Sequence, residues 1–107
     1  MRLNELKELL ERLGLPVAIT SFFAETNLPV VVILPVGTES SGSDFAAELR
    51  RDAYQIELYT EQKDFELEDR LEDLLDEQGI HFVKHEAYID EEAMYQCAYQ
   101  IELYYVK

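Results

Sequence analysis

The hexapeptide Tyr-Gln-Ile-Glu-Leu-Tyr occurs twice without change, at residues 54–59 and 99–104. Apolar and polar residues alternate in it with the period of a strand. The alternation puts Tyr54, Ile56 and Leu58 on one face with Tyr99, Ile101 and Leu103. It puts Gln55, Glu57, Tyr59, Gln100, Glu102 and Tyr104 on the other. The first face is core and the second is wetter. Strands with the same pattern fit as neighbours in one sheet, with helices over the Ile and Leu side and the Gln and Glu side toward solvent or another subunit. The flanking segments do not repeat, so a shared β constraint accounts for the recurrence better than a duplication.

The helices announce themselves by a different period. Leu3, Leu6, Leu10 and Leu13, with Leu9 beside them, make an amphipathic stripe that Gly14 and Pro16 end. Leu67, Leu71, Leu74 and Leu75 make a second stripe, with Asp64 as N-cap and Gly79 as stop. Its other face carries Glu66, Glu68, Asp69, Glu72, Asp73, Asp76 and Glu77 against Arg70, with Glu66 and Arg70 spaced as an i,i+4 ion pair. Residues 17–23 and the β-branched run 29–34 read as two strands of a hairpin turned at Glu25-Thr26-Asn27. Residues 37–52 have loop composition, with a short helical turn around 45–49. Strands at 54–61, 81–89 and 95–106 complete an α-β-β-β-α-β-β order. The expected fold is α+β, a mostly antiparallel sheet with two helices packed on one face, in a single domain over residues 1–107.

Charge narrows the function classes. The 23 Asp and Glu outnumber nine Lys and Arg, for a net charge of −14. Such a surface repels phosphates and anionic lipid headgroups, so DNA or membrane binding is not expected. With 48% hydrophobic and 11% aromatic residues the chain is globular, not an acidic tail. Cys97 is the one cysteine, which excludes an internal disulfide and fits a reducing compartment. No apolar run is long enough for a membrane span, and the charged N-terminus is unlike a signal peptide.

Sites for chemistry are scarce. His81 and His85 have the spacing of a helical metal pair, but in a strand they stand roughly 13 Å apart. Gly37-Thr38-Glu39-Ser40-Ser41-Gly42 has the glycines of a phosphate loop without its lysine. Cys97 shares the inward parity of Tyr95, Tyr99 and Ile101, as a buried structural thiol does. The carboxylates, Glu91 and Glu92 among them, read as solvated charge runs. No catalytic residue, metal site or cofactor is expected, and the chain is not read as an enzyme.

Residues 54–68, Tyr-Gln-Ile-Glu-Leu-Tyr-Thr-Glu-Gln-Lys-Asp-Phe-Glu-Leu-Glu, then Gly79-Ile80, Phe82-Val83-Lys84-His85-Glu86-Ala87-Tyr88-Ile89 and Met94-Tyr95-Gln96, resemble the tail-completion and head–tail-joining proteins of siphophage-type prophages. The element order is similar to that of the tail-terminator fold, to which the lambda U protein belongs. The resemblance spans most of the chain, strongest in its second half and weak over the first helix and residues 37–52. It implies a homo-oligomer, a hexameric ring that caps the tail tube protein and meets a head-completion or connector protein. DNA then passes through the lumen without specific binding. The setting implied is the virion, at the tail–neck region, after assembly in the host cytoplasm. The lumen or interface residues it implies are Glu57, Glu102, Gln55 and Gln100 on the wetter strand face, and Asp44, Phe45, Arg50 and Arg51 along the long loop, which reaches a neighbour or the tail tube. A minor capsid or head-completion protein of the neck, or a small ligand-binding or regulatory module with a pocket between helix and sheet, would be the alternatives.

Overall fold

The two hexapeptide copies lie side by side in a computed structural model of the chain, which describes residues 1–21, 27–42 and 48–107. The elements are α1 (Leu3–Glu11), β1 (Val17–Ile19), β2 (Val30–Ser41), β3 (Leu49–Thr60), α2 (Phe65–Glu77), β4 (Phe82–Ile89) and β5 (Met94–Val106). Their order is the expected one, and the strands form one five-stranded sheet in the order β1-β2-β3-β5-β4. β3 and β5 are antiparallel, with Gln55 opposite Gln100, Tyr54 opposite Ile101 and Ile56 opposite Tyr99. Each copy thus sets its tyrosine against the other's isoleucine, a local twofold about the Gln55–Gln100 pair.

One sheet face forms the main core. Val31, Ile33, Tyr54, Ile56, Leu58, Tyr99, Ile101 and Leu103 pack beneath Leu6, Leu9 and Leu10 of α1 and Leu67, Leu71 and Leu75 of α2. Asp64 caps α2 by accepting the Leu67 N–H at 3.0 Å. At the other end Gly79, with φ of 69°, lets its own N–H reach the Asp76 carbonyl at 3.0 Å and the Ile80 N–H reach Leu75 at 2.9 Å. This paired closure needs the left-handed residue that glycine supplies. Arg70 donates to the Leu13 carbonyl at 3.1 Å and so ties α2 to the end of α1, rather than bonding Glu66.

Two expectations are corrected. Residues 17–34 do not form a hairpin: β1 runs parallel to β2, with Val17 opposite Val31 and Ile19 opposite Ile33. Thr20, at φ of 81°, turns the chain away directly after Ile19, so β1 stops at Ile19. Its end is held by the Thr20 N–H to the Ile33 carbonyl at 2.8 Å. The turn at Glu25-Thr26, and the strand assignment of Phe22 and Phe23, lie outside the described residues.

Residues 37–41 and 49–52 are strand, not loop. β2 continues through Ser41 and β3 begins at Leu49, paired from Gly37 opposite Ala53 to Ser41 opposite Leu49 after a bulge between Pro35 and Gly37. β5 runs along the same stretch, from Glu102 opposite Ala53 to Val106 opposite Leu49. A three-stranded ribbon results, and Leu49 belongs to it rather than to a helical turn. Residues 45–47 of that expected turn are outside the described residues. The molecule measures 52 × 26 × 21 Å with a radius of gyration of 15.1 Å, against about 13 Å for an ordinary domain of this length.

Candidate interface on the outer sheet face

Polar residues of the repeat fall on the sheet face opposite the helices, and the structure treats the two copies unequally. In each, the tyrosine hydroxyl donates to the glutamate two residues before it, Tyr59 to Glu57 at 2.9 Å and Tyr104 to Glu102 at 2.8 Å. Glu57 is nevertheless buried at 7% exposure and Tyr59 at 9%, which corrects the expectation that this whole face is wet. β2 is apolar at every position from Val30 to Leu34, so Val30 and Val32 stand on the outer face, opposite Tyr59 and Glu57. Val30, Val32 and Tyr59 make a second small core with Leu28, Leu34, Ile89 and Met94 at its margin.

Glu57 Oε2 accepts from Gln55 Nε2 and Gln96 Nε2, both at 2.9 Å. Its charge is held by amide and phenol donors, and it is not presented as a free anion. Gln96 also donates to the Tyr59 hydroxyl at 2.9 Å. Burial first, and then the bond to Glu57, push the Tyr59 phenol up to about 12. Glu57→Gln places an amide donor against amide donors and is expected to cost about 1–2 kcal/mol. Glu102→Gln, on an exposed side chain, is expected to stay within about 0.5 kcal/mol of the parent. Urea unfolding of the two variants checks both.

The ribbon gathers the rest of the expected set. Arg51 sits between Glu39, with which it makes a close contact, and Glu102, whose Oε2 is 3.8 Å from its NH1. The charges of Glu39 and then Glu102 raise its pKa further. Gln55 and Gln100 are directly paired. Arg50 has the opposite parity and faces the helix side. It bonds Glu48 at 3.0 Å, and its Nε is buried with no hydrogen-bond partner among the described residues. Asp44 and Phe45 lie outside the described residues. Tyr104, Leu49, Val83 and Val106 leave large apolar surface exposed. A groove of about 740 Å³ opens where β4 begins beside β5, lined by His81, Phe82, Val83, Gln100, Leu103 and Tyr104 among others.

On the helix side lies a polar network that sequence reasoning missed. Glu68, expected among the solvated acids of α2, is 3% exposed. It accepts from Lys63 at 2.8 Å and Lys84 at 2.8 Å. Lys84 also bonds Glu72 at 2.9 Å, and Tyr99 donates to Glu72 at 2.9 Å. Glu68, Glu86 and Cys97 bring their ligand atoms within 4.8 Å of one another, but the Lys63 ammonium already contacts all three. Burial first, and then the Glu68 charge, push the Cys97 thiol up to about 11. It therefore stays protonated and weakly nucleophilic at neutral pH. The sequence signal for this network is parity: Phe82, Lys84 and Glu86 share the inward face of β4.

No family model matches the chain, and no curated protein matches it in sequence. Solved structures do share the fold. A chain from the virion of a native gene transfer agent particle superposes with a TM-score of 0.57 at 9% identity, over 92% of this chain and 84% of that one. A second solved chain superposes with a TM-score of 0.58 at 15% identity, over 97% of this chain and 89% of that one. Among the described residues no helix is long and apolar enough to cross a membrane.

Proposed function

We infer that this chain is a structural protein of a phage-like virion that works by assembly, as a tail terminator or head–tail joining ring between the tail tube and the head. The observation that carries the reading is the fold shared, nearly end to end, with a chain of a gene transfer agent virion. The ribbon and the acidic surface support it. A projecting three-stranded ribbon with exposed apolar side chains suits contact with neighbours. A net charge of −14 suits a passage through which DNA slides without adhering.

The test is genetic and microscopic. Particles purified from cells that encode the chain should contain it, and antibody labelling should mark the junction of head and tail. Deleting the gene should give tails of uncontrolled length if it terminates the tube, and separate heads and tails if it joins them. Normal particles without the protein would refute both roles. A second reading, a small ligand-binding module, is favoured by the groove, whose volume of about 740 Å³ is that of a small-molecule site. A thermal shift with small molecules and no trace of the chain in particles is its expected signature.

A further inference from the structure

Among the described residues, no strand covers either outer edge of the ribbon at its end. β1 covers β2 only from Val31 to Ile33, and β4 covers β5 only from Met94 to Ile101. Among the described residues, 37–41 on one side and 102–106 on the other therefore have a strand neighbour only in β3. They are level with each other, since Gly37 and Glu102 both oppose Ala53 and Ser41 and Val106 both oppose Leu49.

Free edges elsewhere are blunted in the ways that discourage pairing. β1 is short, β2 is interrupted by Pro35 and the bulge, and β4 carries Lys84, His85 and Glu86 in succession. The two ribbon edges contain neither proline nor lysine.

The direction of their backbone groups follows from the ladder. The Lys107 N–H bonds the Glu48 carbonyl at 2.8 Å, so by antiparallel alternation Tyr105 and Leu103 face β3 and Glu102, Tyr104 and Val106 face outward. At the opposite edge, the Val31 N–H bonds Pro16 at 3.0 Å on the β1 side. Alternation with the bulge then leaves Thr38 and Ser40 facing outward. Both strands are antiparallel to β3, so they run parallel to each other. Copies related by rotation about the ribbon direction present these edges to one another in the same sense.

We propose that this chain self-associates head to tail through the ribbon, with residues 102–106 of one copy pairing in parallel with residues 37–41 of the next. Tyr104 then lies opposite Glu39 of the neighbour, bonded to the Thr38 carbonyl and the Ser40 N–H. The groove beside residues 102–104 gives the incoming strand its space. A contact between two different edges is head-to-tail and repeats from copy to copy, closing a ring where its rotation allows. Glu39 and Glu102 of adjacent copies come together on one face, so added salt strengthens the association. The pairing deepens the assembly reading by naming its self-contact, but it does not depend on the virion role.

A disulfide reports the register. Within one chain Glu39 and Tyr104 are separated by β3, roughly 10 Å apart and too far to bridge. Between copies they would be direct neighbours. Glu39→Cys protein mixed with Tyr104→Cys protein should give a cross-linked dimer on oxidation, and the double variant a ladder of multimers. Adding Ser40→Pro removes an outward N–H and leaves the bonds to β3 in place. It should reduce cross-linking at least ten-fold, with circular dichroism unchanged. Protein that stays uncrosslinked up to millimolar concentration in high salt, cross-links only like to like, or is indifferent to the proline overturns the pairing. If the chain is found in particles but does not cross-link, the edge contact falls and the virion role stands. If the double variant forms its ladder but the chain is absent from particles, the edge contact stands and the virion role falls.

Discussion

Tyr99→Ala is expected to remove about 3–5 kcal/mol from the free energy of unfolding, a large part of the roughly 5–15 kcal/mol that a domain has. Tyr99 is 0% exposed and among the largest fully buried side chains. Its ring meets Phe82 edge-on at 5.3 Å and 78°, it stands opposite Ile56 and Lys84 on its two neighbouring strands, and its hydroxyl donates to Glu72 at 2.9 Å. Truncation opens a cavity between the central strands and α2 and strips Glu72 of a donor. Tyr99→Phe separates the two contributions. It keeps the ring and loses one hydrogen bond to a carboxylate that Lys84 still holds, an expected cost of about 1.5 kcal/mol. Urea midpoints for both variants are the measurement. Equal losses in the two would show that the hydroxyl, not the packing of the ring, carries the effect.

Tyr99 also shows why the central sheet was legible. Its six-residue context recurs around Tyr54, alternation fixes the buried face, and identical patterns favour adjacency, so the β3–β5 pairing followed from the chain itself. The helices were as plain, because leucine spacing and the Asp64 and Gly79 stops are local signals. What escaped depends on partners distant in sequence. Thr38 to Ser41 are polar and exposed, and nothing in their composition says strand. They extend because β3 continues beside them, itself backed by β5. The early end of β1 turns on the positive φ of Thr20, for which a threonine gives no composition signal. Parity put Gln55, Gln100 and Glu102 on the outer sheet face, where the structure has them. It set Glu57 in solvent, because the outer-face valines of β2 that cover it belong to another strand. Nothing near Arg51 in the sequence points to the Glu39 and Glu102 that flank it.

Glu68 is the same kind of case, and it sets the expected pH dependence. Burial by itself would raise its pKa, but hydrogen bonds from Lys63 and Lys84 outweigh burial and hold the carboxyl below its ordinary 4.5. A carboxylate depressed on folding contributes stability above the unfolded value, and that contribution is lost as pH falls through the folded one. Lys84 works in the other direction. Burial would lower it, while Glu68 and Glu72 raise it above its ordinary 10.5. Its contribution is complete below 10.5 and is lost only at higher pH. Cys97, raised from 9.0 to about 11, begins the alkaline decline near 9, where the unfolded thiol ionises and the folded one does not. Stability should therefore hold level from about pH 5 to about pH 9 and fall on both sides. Glu68→Gln breaks a buried charge pair and should cost about 3 kcal/mol at pH 7. As the pH drops below 4.5 the gap between parent and variant should close, because the parent loses what the variant never had. Urea titrations of both proteins between pH 2 and pH 7 measure that gap. If it stays constant throughout, Glu68 is not ionised in the fold, and the acid limb belongs to other carboxylates.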